Sequence, residues 1–153
     1  MRQLLDAAEG RGPIDLLDGD GIAAVLRRAR RIAVVGASSN PSRPSYGVVG
    51  YLMDAGYDIL PVNPNETEVH GRPAFASLAE VVAAGGPVDI VDVFRRSELC
   101  EVHAHEAVAA GARCLWLQLG VVSWEAARIA AEAGLAVVID RCTAIEHRRI
   151  RPR

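Results

Sequence analysis

The stretch Ile32-Ala33-Val34-Val35-Gly36-Ala37-Ser38-Ser39-Asn40-Pro41-Ser42-Arg43-Pro44-Ser45-Tyr46-Gly47 decides the fold. Four apolar residues run without alternation, as in a strand covered on both faces, and a glycine, a loop of small residues and a helix start follow. The same unit of apolar run, turn and helical spacing recurs about five times. The strands it predicts are Ile32 to Val35, Asp58 to Val62, Val88 to Val93, Cys114 to Leu117 and Leu135 to Ile139. Between them, Tyr46, Val48, Val49, Leu52 and Met53 trace a helical stripe ending at Gly56. Leu99, Val102 and Val108 trace another ending at Gly111. Further helices are expected from Ser77 through Val82 toward Gly85 and Gly86, and from Trp124 to Ala133 before Gly134. Ser45, Ser77, Ser97 and Ser123 stand where N-caps belong. Strand and helix alternate, and crossovers between parallel strands are right-handed. The expected fold is therefore an α/β, Rossmann-like, doubly wound three-layer sandwich on a five-stranded parallel sheet of order 3-2-1-4-5.

The first thirty residues read differently and predict an N-terminal helical extension over 1–30. Met1 to Ala8 form a short helix, Gly10, Gly12 and Pro13 break it, and Asp20 caps a helix with Ile22, Val25, Leu26 and Ala29 on one face. The nucleotide-binding type of domain occupies 31–150, and the basic segment from Glu146 ends in a solvated tail at 151–153. Half of the 153 residues are apolar, 24% are charged and the formal net charge is −2. That balance excludes a disordered chain and gives no pull toward nucleic acid or anionic membrane. No apolar run approaches the ~20 residues of a membrane span. Three scattered cysteines without a Cys-x-x-Cys pair fit reduced thiols and a cytoplasmic setting. All 17 cationic side chains are arginine, so a Walker-type or Schiff-base lysine is excluded.

In an open α/β sheet, ligands sit outside the carboxyl ends of the strands, which directs attention to the five loops there. The first loop, Gly36 to Ser45, spends ten residues, two prolines and four serines. An ordinary βα turn with Arg43 in solvent does not need that length. Small side chains let an anion reach backbone N–H groups at the start of a helix, and Arg43 adds a planar cation, so a phosphate is expected against Gly36, Ala37, Ser38, Ser39, Arg43, Ser45 and Tyr46. On this reading Gly36→Val removes binding and leaves the fold largely intact. The loop after strand three, Phe94-Arg95-Arg96-Ser97, sets two guanidiniums at a helix start, where cations oppose the helix dipole unless an anion is present. The fourth loop offers Gln118, Leu119 and Gly120, and the fifth Asp140, Arg141, Cys142 and Thr143. The nicotinamide fingerprint is missing. Gly36 lacks the second and third glycines of G-x-G-x-x-G, and strand two ends Pro61-Val62-Asn63-Pro64, without an acid for a ribose. A small NAD(P)-dependent oxidoreductase or redox sensor is thus the second reading.

Val-Val-Gly-Ala-Ser around Gly36, Arg-Pro-Ser-Tyr from Arg43, Pro-Val-Asn-Pro from Pro61, Trp-Leu-Gln-Leu-Gly from Trp116, and Asp-Arg-Cys followed by Ile-Glu-His from Asp140 carry a resemblance over residues 30–150. The chain resembles the small bacterial CoA-binding proteins and, through them, the CoA-binding domain of the succinyl-CoA synthetase α subunit. The resemblance implies a CoA or acyl-CoA ligand held by the Gly36 to Ser45 loop, Asn63-Pro64 and Phe94-Arg95-Arg96, with Arg95 or Arg96 toward the adenosine end. It implies a non-catalytic or regulatory binding module, with a protein partner left open. A subunit of a split acyl-CoA synthetase is a weaker third reading.

Other constellations are set aside. Cys100, His103 and His105 fall on one helix without converging, so no metal is assigned. Trp116 and Trp124 read as packing residues. Cys142 could exchange with a CoA thiol with His147 as its base, but a single cysteine without a paired base reads as a small packed side chain. No catalytic residue is assigned.

Overall fold

A computed structural model describes residues 14–151, which form α1 (Gly19–Arg28), β1 (Arg31–Val35), α2 (Pro44–Asp54), β2 (Asp58–Val62), β3 (Glu68–Val69), β4 (Arg72–Pro73), α3 (Leu78–Gly85), β5 (Ile90–Val93), α4 (Cys100–Ala109), β6 (Cys114–Leu117), α5 (Trp124–Glu132), β7 (Ala136–Val138) and α6 (Thr143–Ile150). The helix expected over Met1 to Ala8 and the last two tail residues lie outside the described residues.

Five strands make one parallel sheet, with all four pairings parallel and in the order β2-β1-β5-β6-β7. The fold is the expected α/β Rossmann-like sandwich, but the third long strand pairs with the first, giving 2-1-3-4-5 in place of 3-2-1-4-5. Strand two is therefore an edge. Pro61 has no N–H, and its carbonyl accepts from Phe75 N at 2.9 Å, so its donor-less side faces outward as edge prolines do. The β3–β4 hairpin segment then covers that edge, with Phe75 bridging to Val62. The hairpin escaped prediction because its strands are two residues each, although its turn, His70 at φ 52° and Gly71 at φ 78°, has the left-handed geometry of tight hairpins.

Alternate residues of β1 feed two cores. Ala33 and Val35 pack with α3, α4 and α5, while Ile32 and Val34 pack with Ile22 and Leu26 of α1 and Val49 and Leu52 of α2. Ser77 and Ser123 cap α3 and α5, accepting from Glu80 N and Ala126 N. The other cap assignments move. Asp18 caps α1 through Gly21 N, α2 opens on Pro44 at N1 behind Arg43, and Ser97 Oγ accepts from Val122 N. The buried face of α4 is Cys100, Ala104 and Ala107, and Val102 is 63% exposed. Facing alanines of α5, Ala126, Ala127 and Ala130, share its core, so small side chains set this contact where a stripe of large ones was expected. The first part of the basic segment, Glu146 to Ile150, belongs to α6, which packs against α1 and α2.

At the amino-terminal edge of the sheet, Arg31 Nη1 donates to the carbonyls of Gly85, Gly86 and Pro87 at 3.0, 2.7 and 2.7 Å, closing the end of α3. A guanidinium there answers both the unpaired carbonyls and the helix dipole. Arg31→Ala is expected to cost about 2 kcal/mol of stability in denaturant unfolding, with ligand binding unchanged, because the site lies at the opposite edge.

Candidate functional site

The strand order reverses between β1 and β5, so the chains leaving those two strands diverge to opposite faces of the sheet and open a crevice. A cavity of about 520 Å³ occupies it. From the expected set it is lined by Gly36, Ser38, Arg43, Ser45, Asn63, Phe94, Arg95 and Gln118. Pro44, Val48, Leu119, Val121, Cys142 and Ile145 complete it. A smaller cavity of about 210 Å³ shares Gly36, Asn63 and Arg95 and continues past Pro64 toward α3 and α4. The three exposed large apolar side chains among the described residues, Val102, Leu119 and Ile145, all line one or other of these cavities. Exposed apolar surface gathered at a concave site marks a place where a ligand is to be covered.

Gly36 has φ 84°, and a Cβ built there would stand 2.4 Å from the Phe94 carbonyl oxygen. The glycine is required by backbone approach of β1 and β5 as well as by φ, so the expectation that Gly36→Val keeps the fold is corrected. The loop beyond it is tied to itself. Ser38 N donates to Ser45 Oγ at 3.1 Å, Asn40 N to Ser38 Oγ at 3.0 Å, and Ser42 N to Asn40 Oδ1 at 3.0 Å. The amides of Gly36 and Arg43 also bond within the protein. Asn63 Nδ2 donates to Ala37 O at 2.8 Å, fastening the end of β2 to the loop. The chain thus spends its serines on shaping the loop, and fewer N–H groups face outward than a bare glycine loop would present.

Arg43 and Arg95 line the cavity, and neither has an acidic partner among the described residues. Arg96 is 79% exposed, lies 3.7 Å from Glu98 and is absent from the lining. Ala37 is fully buried, and Ser39 is exposed outside the cavity. Tyr46 stacks on His70 at 3.9 Å, where His70 Nε2 donates to the Tyr46 carbonyl, so its ring is used against the hairpin. Gly120 also stands outside the lining, and its N–H donates to Asp140 Oδ1 at 2.6 Å.

Beneath the cavity lies a group that sequence reasoning missed. Asp92, on β5 between Val34 of β1 and Trp116 of β6, is fully buried, and no cation among the described residues pairs with it. It accepts from Gln118 Nε2 at 2.8 Å and from Thr143 Oγ1 at 2.9 Å, and Gln118 Nε2 also donates to Thr143 Oγ1 at 2.9 Å. An aspartate inside an apolar strand was the available signal. Burial pushes its carboxyl up to about 7, against the pull of the two hydrogen bonds. Trp116 Nε1 donates to Arg141 O at 2.7 Å, so the same sheet position also holds the loop that carries Cys142 to the cavity.

The remaining candidates separate. His147 Nδ1 is 2.9 Å from Tyr51 Oη and stands in a different depression with Arg30 and Tyr57, so it is not paired with Cys142. Burial holds the thiols of Cys100 and Cys114 up at about 11 and about 12. His103 pairs with Glu106 at 2.7 Å. Among the described residues no group of three metal-ligating side chains gathers, and no helix is long and apolar enough to cross a membrane.

A doubly wound parallel sheet with a cation-bearing crevice at its switch point defines a nucleotide-binding class of protein. Comparison narrows the class. Residues 30–148 match the family model described as CoA binding domain, and the chain belongs to that family. It is 44% identical over 126 residues to the protein YneT of Bacillus subtilis (strain 168), covering 82% of this chain and 91% of that one. Among solved structures, a hypothetical protein from Pyrococcus horikoshii OT3 superposes with TM-score 0.83 at 38% identity, covering 91% of this chain and 96% of that one. Cell-free ID.343 from Thermus thermophilus superposes with TM-score 0.82 at 40% identity, covering 88% and 100%.

Two outcomes follow. Gly36→Ala is expected to destabilise by about 2–3 kcal/mol through the Phe94 contact and the left-handed backbone, read as a lowered denaturation midpoint. The second concerns Asp92, whose folded pKa lies above its unfolded value, so its contribution is fullest below the unfolded pKa of 3.8 and is lost as pH rises to about 7. Relative to Asp92→Asn, wild type should therefore lose on the order of 4 kcal/mol between pH 4 and pH 8. A stability gap that does not change with pH would contradict the raised carboxyl.

Proposed function

We propose that the protein is a CoA or acyl-CoA binding module, with the ligand's phosphates against Ser38, Arg43, Ser45 and Arg95 at the switch-point cavity and no reaction of its own. The observation that carries this reading is the pair of guanidiniums without acidic partners among the described residues, set into a cavity of about 520 Å³ in a chain of the CoA binding family. A guanidinium fork matches a phosphate's oxygens in two parallel hydrogen bonds, and each charge-assisted contact contributes about 1.5–3 kcal/mol. Arg95 lines both cavities, which suits a ligand that crosses the sheet edge and carries phosphate at more than one place. The hydroxyls of Ser38 and Ser45 add donors beside Arg43, and the loop amides play a smaller part, because most are already used.

The oxidoreductase reading is not favoured. Asn63 stands at the end of β2, where a nicotinamide protein carries an acid, and its amide is committed to Ala37 O. The reading assigns no reaction to Cys142, which lines the cavity with no base hydrogen-bonded to it among the described residues. A cytoplasmic setting belongs to the same proposal and rests on the composition and the three scattered cysteines, and the module is non-catalytic or regulatory, with a protein partner left open.

A thermal-shift panel of CoA, acetyl-CoA, dephospho-CoA, NAD, NADP and ATP tests the ligand, since a molecule that binds only the native state raises its melting point. CoA and acetyl-CoA are expected to lead, ahead of NAD. By titration calorimetry, Arg43→Ala and Arg95→Ala should each weaken CoA binding roughly ten- to a hundredfold. Arg96→Ala should leave it unchanged. A preference for NAD, or loss with Arg96→Ala alone, would overturn the assignment.

A further inference from the structure

The hydrogen bonds around Asp92 fix the orientation of Gln118. Above about pH 7, where the raised Asp92 carboxyl is ionised, it only accepts, so both of its partners must donate. Thr143 has one hydroxyl proton and gives it to Asp92 Oδ2, which leaves the Thr143 oxygen able only to accept from the Gln118 amide. The amide end held between Asp92 Oδ1 and Thr143 Oγ1 must then be the NH2 group, with both of its protons used. Gln118 is 97% buried by its 3% exposure and lines the cavity, and its Oε1 has no protein partner among the described residues. No buried side-chain oxygen or nitrogen among those residues is left without a partner unless it touches open space, so Oε1 looks into the cavity.

Resting on the CoA reading of this cavity, we propose that Asp92 and Thr143 set Gln118 as a hydrogen-bond acceptor, so that the ligand segment seated on it is a neutral donor, an amide N–H of a pantetheine-type chain, rather than a phosphate or carboxylate. An anion placed there would meet a carbonyl oxygen with a buried carboxylate behind it. The neighbouring surface fits a neutral chain. Leu119, Val121 and Ile145 line the same cavity, and Leu119 and Ile145 are 64% and 39% exposed. Arg43 belongs to the loop after β1, and β6, which delivers Gln118, lies two strands from β1, about 10 Å at the usual strand spacing, whereas Arg95 leaves the intervening strand β5. The cavity therefore offers an oriented acceptor and aliphatic side chains as well as the guanidiniums of Arg43 and Arg95. Asp92 is a positioning residue, and Gln118 is the one that meets the ligand.

Titration calorimetry at pH 8 with CoA and with adenosine 3′,5′-bisphosphate, which carries the nucleotide but no chain, separates the two ends. Gln118→Met should weaken CoA about tenfold, the worth of one hydrogen bond with its buried partner, and leave the bisphosphate within about twofold. Asp92→Asn, which allows the amide to turn over, should show the same split, and Thr143→Ser, which keeps the hydroxyl, should bind both ligands as wild type does. CoA affinity unchanged in Gln118→Met, or an equal loss for both ligands in a variant that melts like wild type, would overturn the inference. If Asp92→Asn does not fold, Gln118→Met decides alone, since Asp92 and Thr143 remain bonded to each other in it. Wild type that binds neither ligand would overturn the CoA reading itself, whereas wild type that binds both with Gln118→Met unaffected overturns only the role of Gln118.

Discussion

Everything at the carboxyl end of the sheet depends on how closely β1 can pass β5. The first strand is paired on both sides, and its exit at Gly36 runs against the Phe94 carbonyl with no room for a side chain. That approach brings the two divergent loops to one point, so that Arg43 from the first and Arg95 from the second face the same cavity. Asn63 then fastens β2 to the first loop, and the loop's serines and Asn40 fasten it to itself. The crevice is a fixed consequence of strand order, shaped before any ligand arrives.

Under it the sheet accepts a costly group. A buried aspartate with no cation beside it among the described residues is tolerated because Gln118 and Thr143 supply two donors, one from the end of the next strand and one from the first turn of α6. The same three residues hold the floor of the cavity and anchor the helix that carries Cys142 and Ile145 to its wall. Burial of polar groups here joins the last helix to the middle of the sheet.

The sandwich was legible because fully buried parallel strands show themselves as unbroken apolar runs, and because Ser77, Ser123 and the glycines after the helices mark their ends. Strand order was not, since pairing is decided at a distance, although Pro61 held the clue that strand two is an edge. The last helix left no apolar stripe: it buries Thr143, Ala144 and the stem of Glu146, whose carboxylate takes Arg149 at 3.0 Å, so periodicity had little to detect. In the candidate site, the glycine and the two arginines could be read from residue type at a strand end, whereas Tyr46 and Arg96 have the right chemistry and point to His70 and Glu98. Asp92 stood in the sequence as an acid inside an apolar run, but its partners Gln118 and Thr143 came into view only when β5 was set between its neighbours.

The two cations of the crevice are guanidiniums in a chain that contains no lysine. A thioester is an acylating agent, and an ammonium that sheds its proton beside one is converted to an amide. A guanidinium keeps its proton at every physiological pH and has no lone pair to offer. On the proposed reading, phosphate recognition by Arg43 and Arg95 would be chemically inert toward an activated acyl group, which could rest in this cleft without slowly consuming the guanidiniums that hold it.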